Sequence, residues 1–327
     1  MELITIDQFT NGAKIEGFYL IKSCQCKTAA NNNKYLDLTL SDQTGEINAK
    51  LWEYSEEDGK SYESSTLIKI RGTVSEWQGQ LQLKIERIRL CTPDDGVDPA
   101  NFVPVAPYTP EYMFNHILNF ITKMQDPDIK AIVQYIFKEN KQKLMTFPAA
   151  MKNHHAIRSG LLYHTMTMLM LAEKLSSVYD FINTDLLYGG VILHDMAKIE
   201  EMDANELGIV SDYTVEGQLL GHIIQGIKNV DRVAKKVGAN EEASLLLQHM
   251  ILSHHYEPEF GSPKRPMIPE AELLHYLDII DSRMYDMKRV LQNTPEGGFS
   301  EKLWSMHNRK LYKAFSNSQE LDDKSLA

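Results

Sequence analysis

The sequence predicts a multidomain protein, a small all-β barrel followed by an all-α domain, and three observations carry that prediction. Apolar residues recur with a period of two before residue 91 and with a helical period after residue 110. Between these regions lies TPDDGVDPANFVPVAPYTP, Thr92 to Pro110, which holds five of the twelve prolines and reads as an extended linker. All eleven histidines lie at or beyond His116, nine of them between His154 and His275, so the chemistry is expected in the C-terminal part. The expected division is 1–91, a linker at 92–110, a helical domain at 111–315, and a flexible polar tail at 316–327.

The strands follow from alternation. Tyr35-Leu36-Asp37-Leu38-Thr39-Leu40 and Ile47-Asn48-Ala49-Lys50-Leu51-Trp52 flank a turn at Ser41 to Gly45 and form one hairpin. Leu67 to Val74 and Gln80 to Ile85 pair across Trp77-Gln78-Gly79, and Ile15 to Ile21 supplies a first strand. Five short strands in this span suit a small closed barrel. After the linker, helical spacing marks Ile117 to Met124 and Leu161 to Ala172, while Asp126-Pro127 starts a helix with Pro at its first position. Leu186 to His194, Glu241 to Ser253 and Leu273 to Val290 are further helical stretches, and Met166, Met168 and Met170 belong to the core.

Composition narrows the function classes. The 327 residues are 43% hydrophobic and 24% charged, with a mean hydropathy of -0.33, which is globular composition and no sign of wholesale disorder. No apolar run approaches the ~20 residues of a bilayer span, and Met1-Glu2-Leu3-Ile4-Thr5 lacks the plan of a signal peptide, so a cytoplasmic protein without a membrane partner is expected. Cys24, Cys26 and Cys91 make no even-numbered framework, and Cys-x-Cys falls short of a structural zinc site. The net charge is -11, of which -2 falls before Pro93, so any grip on nucleic acid is local rather than spread over the surface.

The succession YLDLTLSDQTGEINAKLW, followed by IKIRGTVSEWQGQLQLKIERIRL, resembles the oligonucleotide/oligosaccharide-binding (OB) fold of the anticodon-binding type over most of residues 12 to 91. In that reading Leu36, Leu38, Leu40, Ile47, Ala49 and Leu51 point inward, while Tyr35, Lys50 and Trp52 lie on the other face. An exposed Trp beside a Lys suits a stacking platform for single-stranded bases. The alternative is that Trp52 packs under the loop Glu53 to Tyr62 or against the second domain; Phe18 and Trp77 are weaker candidates for base contact.

In the helical part, His164 is followed by His194-Asp195, His222, His254-His255 and Asp278, each in or beside a helical segment. Five imidazoles and two carboxylates suit Mn²⁺, Co²⁺, Fe or Zn²⁺, with Mn²⁺ the first choice. Seven ligands exceed what one ion takes from protein while leaving a place for water, so two divalent ions are the simpler account. The order His, His-Asp, Asp, with HDMAK at its centre, resembles the HD-domain metal-dependent phosphohydrolases over about residues 150 to 290. The resemblance implies that His164, His194, Asp195 and Asp278 hold a first metal, and that Asp195 bridges to a second held by His222, His254 and His255. It also gives Lys198 the place of the lysine in the HD-x-x-K element, as a phosphate contact. Two ions about 3.5 to 4 Å apart are a general arrangement for phosphoester hydrolysis.

NHHAIRSGLLYHT, Asn153 to Thr165, together with SHH at 253 to 255 and LLHYLDIIDSRM at 273 to 284, resembles the YhaM-type 3′→5′ exoribonucleases of Gram-positive bacteria across nearly the whole chain. That resemblance implies removal of 5′-mononucleotides from the 3′ end of single-stranded RNA, with single-stranded DNA a further substrate, by a homo-oligomer. His154 and His155 are placed by it near the cleft, to orient substrate or protonate the leaving oxygen, and Arg158 is a candidate phosphate clamp. Asp281 is expected to orient a ligand or cap charge rather than bind metal, and His249 and His275 to pack or face solvent, with support of a ligand the alternative for either. Some metal-richer relatives place a glutamate one turn before the first histidine, where this chain has Gly160, which argues against a third ion. Two other functions remain open at this point: a phosphodiesterase or nucleotidase acting on small or cyclic nucleotides, and a non-enzymatic DNA-binding protein with structural metals.

Overall fold

The computed structural model of the chain describes residues 4–29, 32–52, 54, 61–151, 154–303 and 306–315. The expected tail at 316–327 lies outside them, as does most of the loop after Trp52.

Five strands close the barrel: β1 (Lys14–Thr28), β2 (Lys34–Ser41), β3 (Glu46–Leu51), β4 (Leu67–Trp77) and β5 (Gln80–Leu90), in the order β1-β2-β3-β5-β4. Antiparallel pairing runs around most of the ring, and a short parallel contact of β3 with β5 closes it. Leu36, Leu38, Leu40, Ile47, Ala49 and Leu51 are all buried inside, as alternation predicts. β1 runs beyond the expected Ile15 to Ile21. Its second half pairs with β2 after a register shift between Ile21 and Ser23, and its side chains there are mostly exposed, so the ladder continues where the apolar pattern has stopped.

The proline-rich segment is anchored at several points. Thr92 and Asp95 form a capping box around a 3-10 turn, with Arg89 bidentate on Asp95 at 2.7 and 2.6 Å. Phe102 and Val103 pack with Leu20 and Leu67 of the barrel, while Ala106 joins the helical core, because apolar residues between the prolines find burial on both sides.

The helical part comprises α1 (Pro110–Lys123), α2 (Pro127–Glu139), α3 (Lys141–Leu144), α4 (Gly160–Ser176), α5 (Thr184–Leu193), α6 (Lys198–Glu201), α7 (Val215–Val237), α8 (Glu241–Ser253) and α9 (Pro269–Gln292). Asp126 caps α2 by accepting from the N–H groups of Asp128 and Ile129, with Pro127 in the first helical position. One apolar core joins these helices; Met166 and Met168 are buried in it and Met170 packs at its margin. The domain is not wholly helical. A two-stranded hairpin, β6 (Met202–Ala204) with β7 (Val210–Tyr213), connects α6 to α7. Among the described residues no helix is long and apolar enough to cross a membrane.

Candidate metal centre

Helix ends place most of the functional side chains. His194 and Asp195 follow α5, His254 and His255 follow α8, and in each case the chain leaves carbonyls of the last turn without intrahelical donors. Two imidazoles fill that need, His194 Nδ1 donating to Val191 O at 2.9 Å and His254 Nδ1 to Ile251 O at 2.7 Å, while His255 Nδ1 donates onward to Phe260 O in the following turn. His164, inside α4, donates from Nδ1 to Asp281 Oδ2 of α9 at 2.8 Å, and His222 donates from Nδ1 to Glu201 at 3.0 Å. With every Nδ1 engaged by an acceptor, Nε2 is the atom that each of the five rings has left to offer a ligand.

Four of those Nε2 atoms lie around one carboxylate. Asp195 Oδ2 lies 3.4 Å from His194 Nε2 and 3.8 Å from His164 Nε2, and Asp195 Oδ1 lies 3.5 Å from His222 Nε2 and 3.9 Å from His254 Nε2. Asp278 Oδ1 is 3.4 Å from His164 Nε2. Among the described residues three sets of potential ligand atoms lie within 4.8 Å of one another: His164–His194–Asp278 and Asp195–His222–His254–His255 around this carboxylate, and His155–His164–Asp281 behind it, drawn together by the bonds of both rings to Asp281 Oδ2. The Nε2 atoms of His164, His194, His222 and His254 and the Oδ1 of Asp195 are buried without a hydrogen-bond partner among the described residues. Each such atom costs about 1 to 3 kcal/mol unless something meets it. Imidazole and carboxylate donors on one spot fit divalent cations of the first transition row.

The electrostatics agree with a cationic occupant. Burial disfavours charge on His164, but the carboxylates of Asp278, close to its Nε2, and Asp281, bonded to its Nδ1, outweigh it and push its pKa up to about 10. Burial likewise opposes ionisation of Asp195, yet Lys198 and His194 hold it well below the usual carboxylate range. Burial and the neighbouring His255 push His254 well below the ordinary imidazole value, which leaves its ring neutral and free to ligate.

Lys198 faces the centre, its Nζ bonded to Asp195 Oδ2 at 2.8 Å. His154 stands beside His164 with ring centroids 5.9 Å apart, and burial, followed by the charge of His164, lowers its pKa to about 4. It is therefore neutral at pH 7 in the free protein and suited to orienting substrate rather than to giving up a proton. His155 departs from expectation. It is buried behind the ligand set, its Nε2 bonded to Asp281 Oδ2 at 2.8 Å and its ring against Tyr285 at 3.9 Å, because the chain turns back there and points it into the core. Arg158 also lies away from the ligands. Its backbone bridges to Val105, and it lines a cleft of about 2010 Å³ between barrel and helices, with Cys26, Ile209, Tyr285 and Arg289.

Sequence reading missed Glu201, which stands next to Glu200 in a short charged stretch with nothing to separate them; only the fold shows that Glu201 meets His222. His275 donates to His254 O at 2.8 Å, whereas His249 accepts from Met267 N at 2.9 Å, outside the ligand set. On the barrel, Tyr35 and Trp52 stack with centroids 4.6 Å apart, and Lys50 Nζ lies 5.5 Å from the Tyr35 ring. Trp52 remains 41% exposed, enough to offer a face to a further ring.

Residues 20–90 match the family model described as OB-fold nucleic acid binding domain, and residues 161–283 match the HD domain. Over 307 residues the chain is 41% identical to the 3′-5′ exoribonuclease YhaM of Geobacillus sp. (strain WCH70), covering 94% of each chain. The chain belongs to the YhaM family. Its likeness to the 3′-5′ exoribonucleases YhaM of Halalkalibacterium halodurans, 41% identical over 95% of this chain and 96% of that one, and of Bacillus subtilis, 39% identical over 92% and 95%, is equally extensive. In this YhaM family member the HD match encloses His164, His194, Asp195, His222, His254, His255 and Asp278, and an HD domain of this kind depends on divalent metal. His154, His155 and Arg158 precede that match.

Proposed function

We propose that the chain is a metal-dependent 3′→5′ exoribonuclease that shortens single-stranded RNA, and single-stranded DNA as a second substrate, to 5′-mononucleotides. The observation that carries the reading is the convergence of four unpartnered imidazole nitrogens on the buried carboxylate of Asp195. Two divalent ions, Mn²⁺ first, would be held by His164, His194 and Asp278 on the Oδ2 side of Asp195 and by His222, His254 and His255 on its Oδ1 side. Bound there, such ions supply charge neutralisation for a phosphodiester and lower the pKa of water, the chemistry of hydrolytic cleavage.

The protein groups divide the remaining work. Lys198, on Asp195, carries positive charge to the edge of the centre where a phosphate oxygen of the substrate would lie. His154, neutral and beside His164, orients the scissile nucleotide. Asp281 fixes the His164 ring and, through it, the direction of Nε2. Tyr35, Trp52 and Lys50 offer stacking and charge to unpaired bases. The division at 1–91, 92–110 and 111–315 is supported by barrel strands that end at Leu90 and α-helices that begin at Pro110. The reading includes a homo-oligomer, supported by the exposed apolar row Tyr276, Ile280 and Met284 along α9 and testable by sedimentation velocity.

Incubation of Mn²⁺-loaded protein with 5′-labelled RNA is the test. A ladder shortening from the 3′ end is expected; intact RNA with turnover of mononucleotides or cyclic nucleotides would replace this reading with the small-substrate one.

A further inference from the structure

We propose that Glu201 is a positioning residue that holds the His222 ring with its proton on Nδ1 and its Nε2 aimed at Asp195, and thereby sets metal affinity on the His222 side of the centre. The proposal rests on the metal reading above and deepens it.

The argument begins in the backbone. Helix α7 is broken at Gly221, whose φ of 66° and ψ of 167° are non-helical, so that His222 starts a new helical run. A φ in that region suits glycine, which has no Cβ to strain against the backbone. The break deprives the His222 N–H of an intrahelical carbonyl and leaves it one of the orphan donors of a helix start. Glu201 Oε1 accepts that N–H at 2.9 Å. The same carboxylate accepts His222 Nδ1, at 3.0 Å from Oε1 and 3.1 Å from Oε2. One side chain thus fixes the backbone at the break and the ring that projects from it.

Glu201 is itself well seated. Its carbonyl accepts Thr214 N at 2.9 Å, which ties the start of α7 to the end of α6, and its side chain is only 13% exposed. The contrast with the other ligands is informative. His194, His254 and His255 are oriented by main-chain carbonyls, which substitution does not remove, and His164 by Asp281. On the Oδ1 side of Asp195, Glu201 is the side-chain carboxylate that orients a ligand among the described residues, and a carboxylate partner raises the basicity of the imidazole it holds more than a neutral carbonyl does.

The test uses full-length protein with ¹⁵N-labelled histidine, first stripped of metal. Long-range ¹H–¹⁵N spectra, with the His222 signals identified by their loss in His222→Gln, should show the Nδ1–H form in the wild type and in Glu201→Gln, whose amide oxygen still accepts. Glu201→Ala should show averaged tautomers. Mn²⁺ titrations followed by the resonance of free Mn²⁺ should then show affinity on the weakened side reduced on the order of 100-fold in Glu201→Ala and 10-fold in Glu201→Gln, the range for lost orienting groups. A wild-type ring pattern or a wild-type affinity in Glu201→Ala overturns the proposal. Should that variant not fold, a Glu201→Gln protein with unchanged affinity does so. A wild-type protein that binds no Mn²⁺ sinks the metal reading instead, and the spectra of the metal-free proteins then judge Glu201 by themselves.

Discussion

Asp195 Oδ1 and His222 Nε2 face each other at 3.5 Å, both buried and neither with a hydrogen-bond partner among the described residues. The other oxygen of Asp195 faces His194, His164 and Lys198, so this one carboxylate joins both halves of the ligand set. Replacing Asp195 by Asn keeps its shape and removes its charge. Since loss of an orienting group outside the ligand set costs about 10- to 100-fold, loss of the shared ligand should lower the rate of 3′-end shortening by more than ~10²-fold. RNA affinity, measured by fluorescence anisotropy, should stay near the wild-type value because the barrel is untouched. Undiminished shortening of labelled RNA by that variant would place the chemistry elsewhere.

With His164 as a proposed ligand, its pKa predicts that metal binding depends on pH. In the metal-free protein the ring titrates near 10, against an ordinary value of 6.5, because Asp278 and Asp281 outweigh the effect of burial. The favourable contribution of its proton to stability is full below pH 6.5 and is lost as pH rises toward 10. A cation taking Nε2 must displace that proton, so Mn²⁺ affinity should rise between pH 6 and 8.5, by up to about tenfold per unit for one proton released. Calorimetry in buffers of different ionisation enthalpy measures the proton directly. A flat affinity with no proton release would count against His164 as a ligand.

Stacking of Tyr35 on Trp52 predicts coupled effects on RNA binding. Trp52→Ala should weaken affinity for single-stranded RNA by about 1 to 3 kcal/mol, the range for loss of one aromatic platform. Tyr35→Ala should cost less, since the Trp52 ring would lose its support and keep its exposed face. The double variant should fall short of the sum, because the two rings act as one surface. Anisotropy titrations at fixed salt measure all three, and an unchanged affinity in Trp52→Ala would assign that ring to packing alone.

What could be seen in the sequence depended on whether a signal was periodic and local. Strands β2 and β3 and helix α8 stood out because their apolar residues alternate or recur at helical spacing without interruption. A helical segment was expected at His222, but the bounds of helix α7 were not legible: Gly217, Gly221 and Gly226 interrupt it, and much of its surface is polar. The candidate metal-ligating residues were visible because histidine and aspartate are distinctive types, and the family resemblance joined them into one set. Glu201 was invisible for the opposite reason, a glutamate among glutamates whose partner lies in another helix. His155 was legible as part of a motif but not in its direction, which depends on the left-handed backbone at His155 and Ser159.

The same turn yields a stability prediction at Gly160. It begins α4 where the chain folds back on itself, and a Cβ there would lie 2.0 Å from the carbonyl oxygen of His155 and 3.3 Å from Ala149 N. That carbonyl accepts the Ala149 N–H at 3.1 Å, so it cannot withdraw without breaking a backbone hydrogen bond. A glutamate at this position has no room in this packing. Even Gly160→Ala should destabilise the metal-free protein by roughly 1 to 3 kcal/mol, the usual range for overpacking, and lower its denaturant midpoint. The displaced His155 also carries the bond to Asp281 that steadies His164, so Mn²⁺ affinity should fall in the same variant. A lower midpoint with wild-type affinity would show that the turn supports the fold but not the centre, whereas an unchanged midpoint would mean that the segment moves aside at no cost.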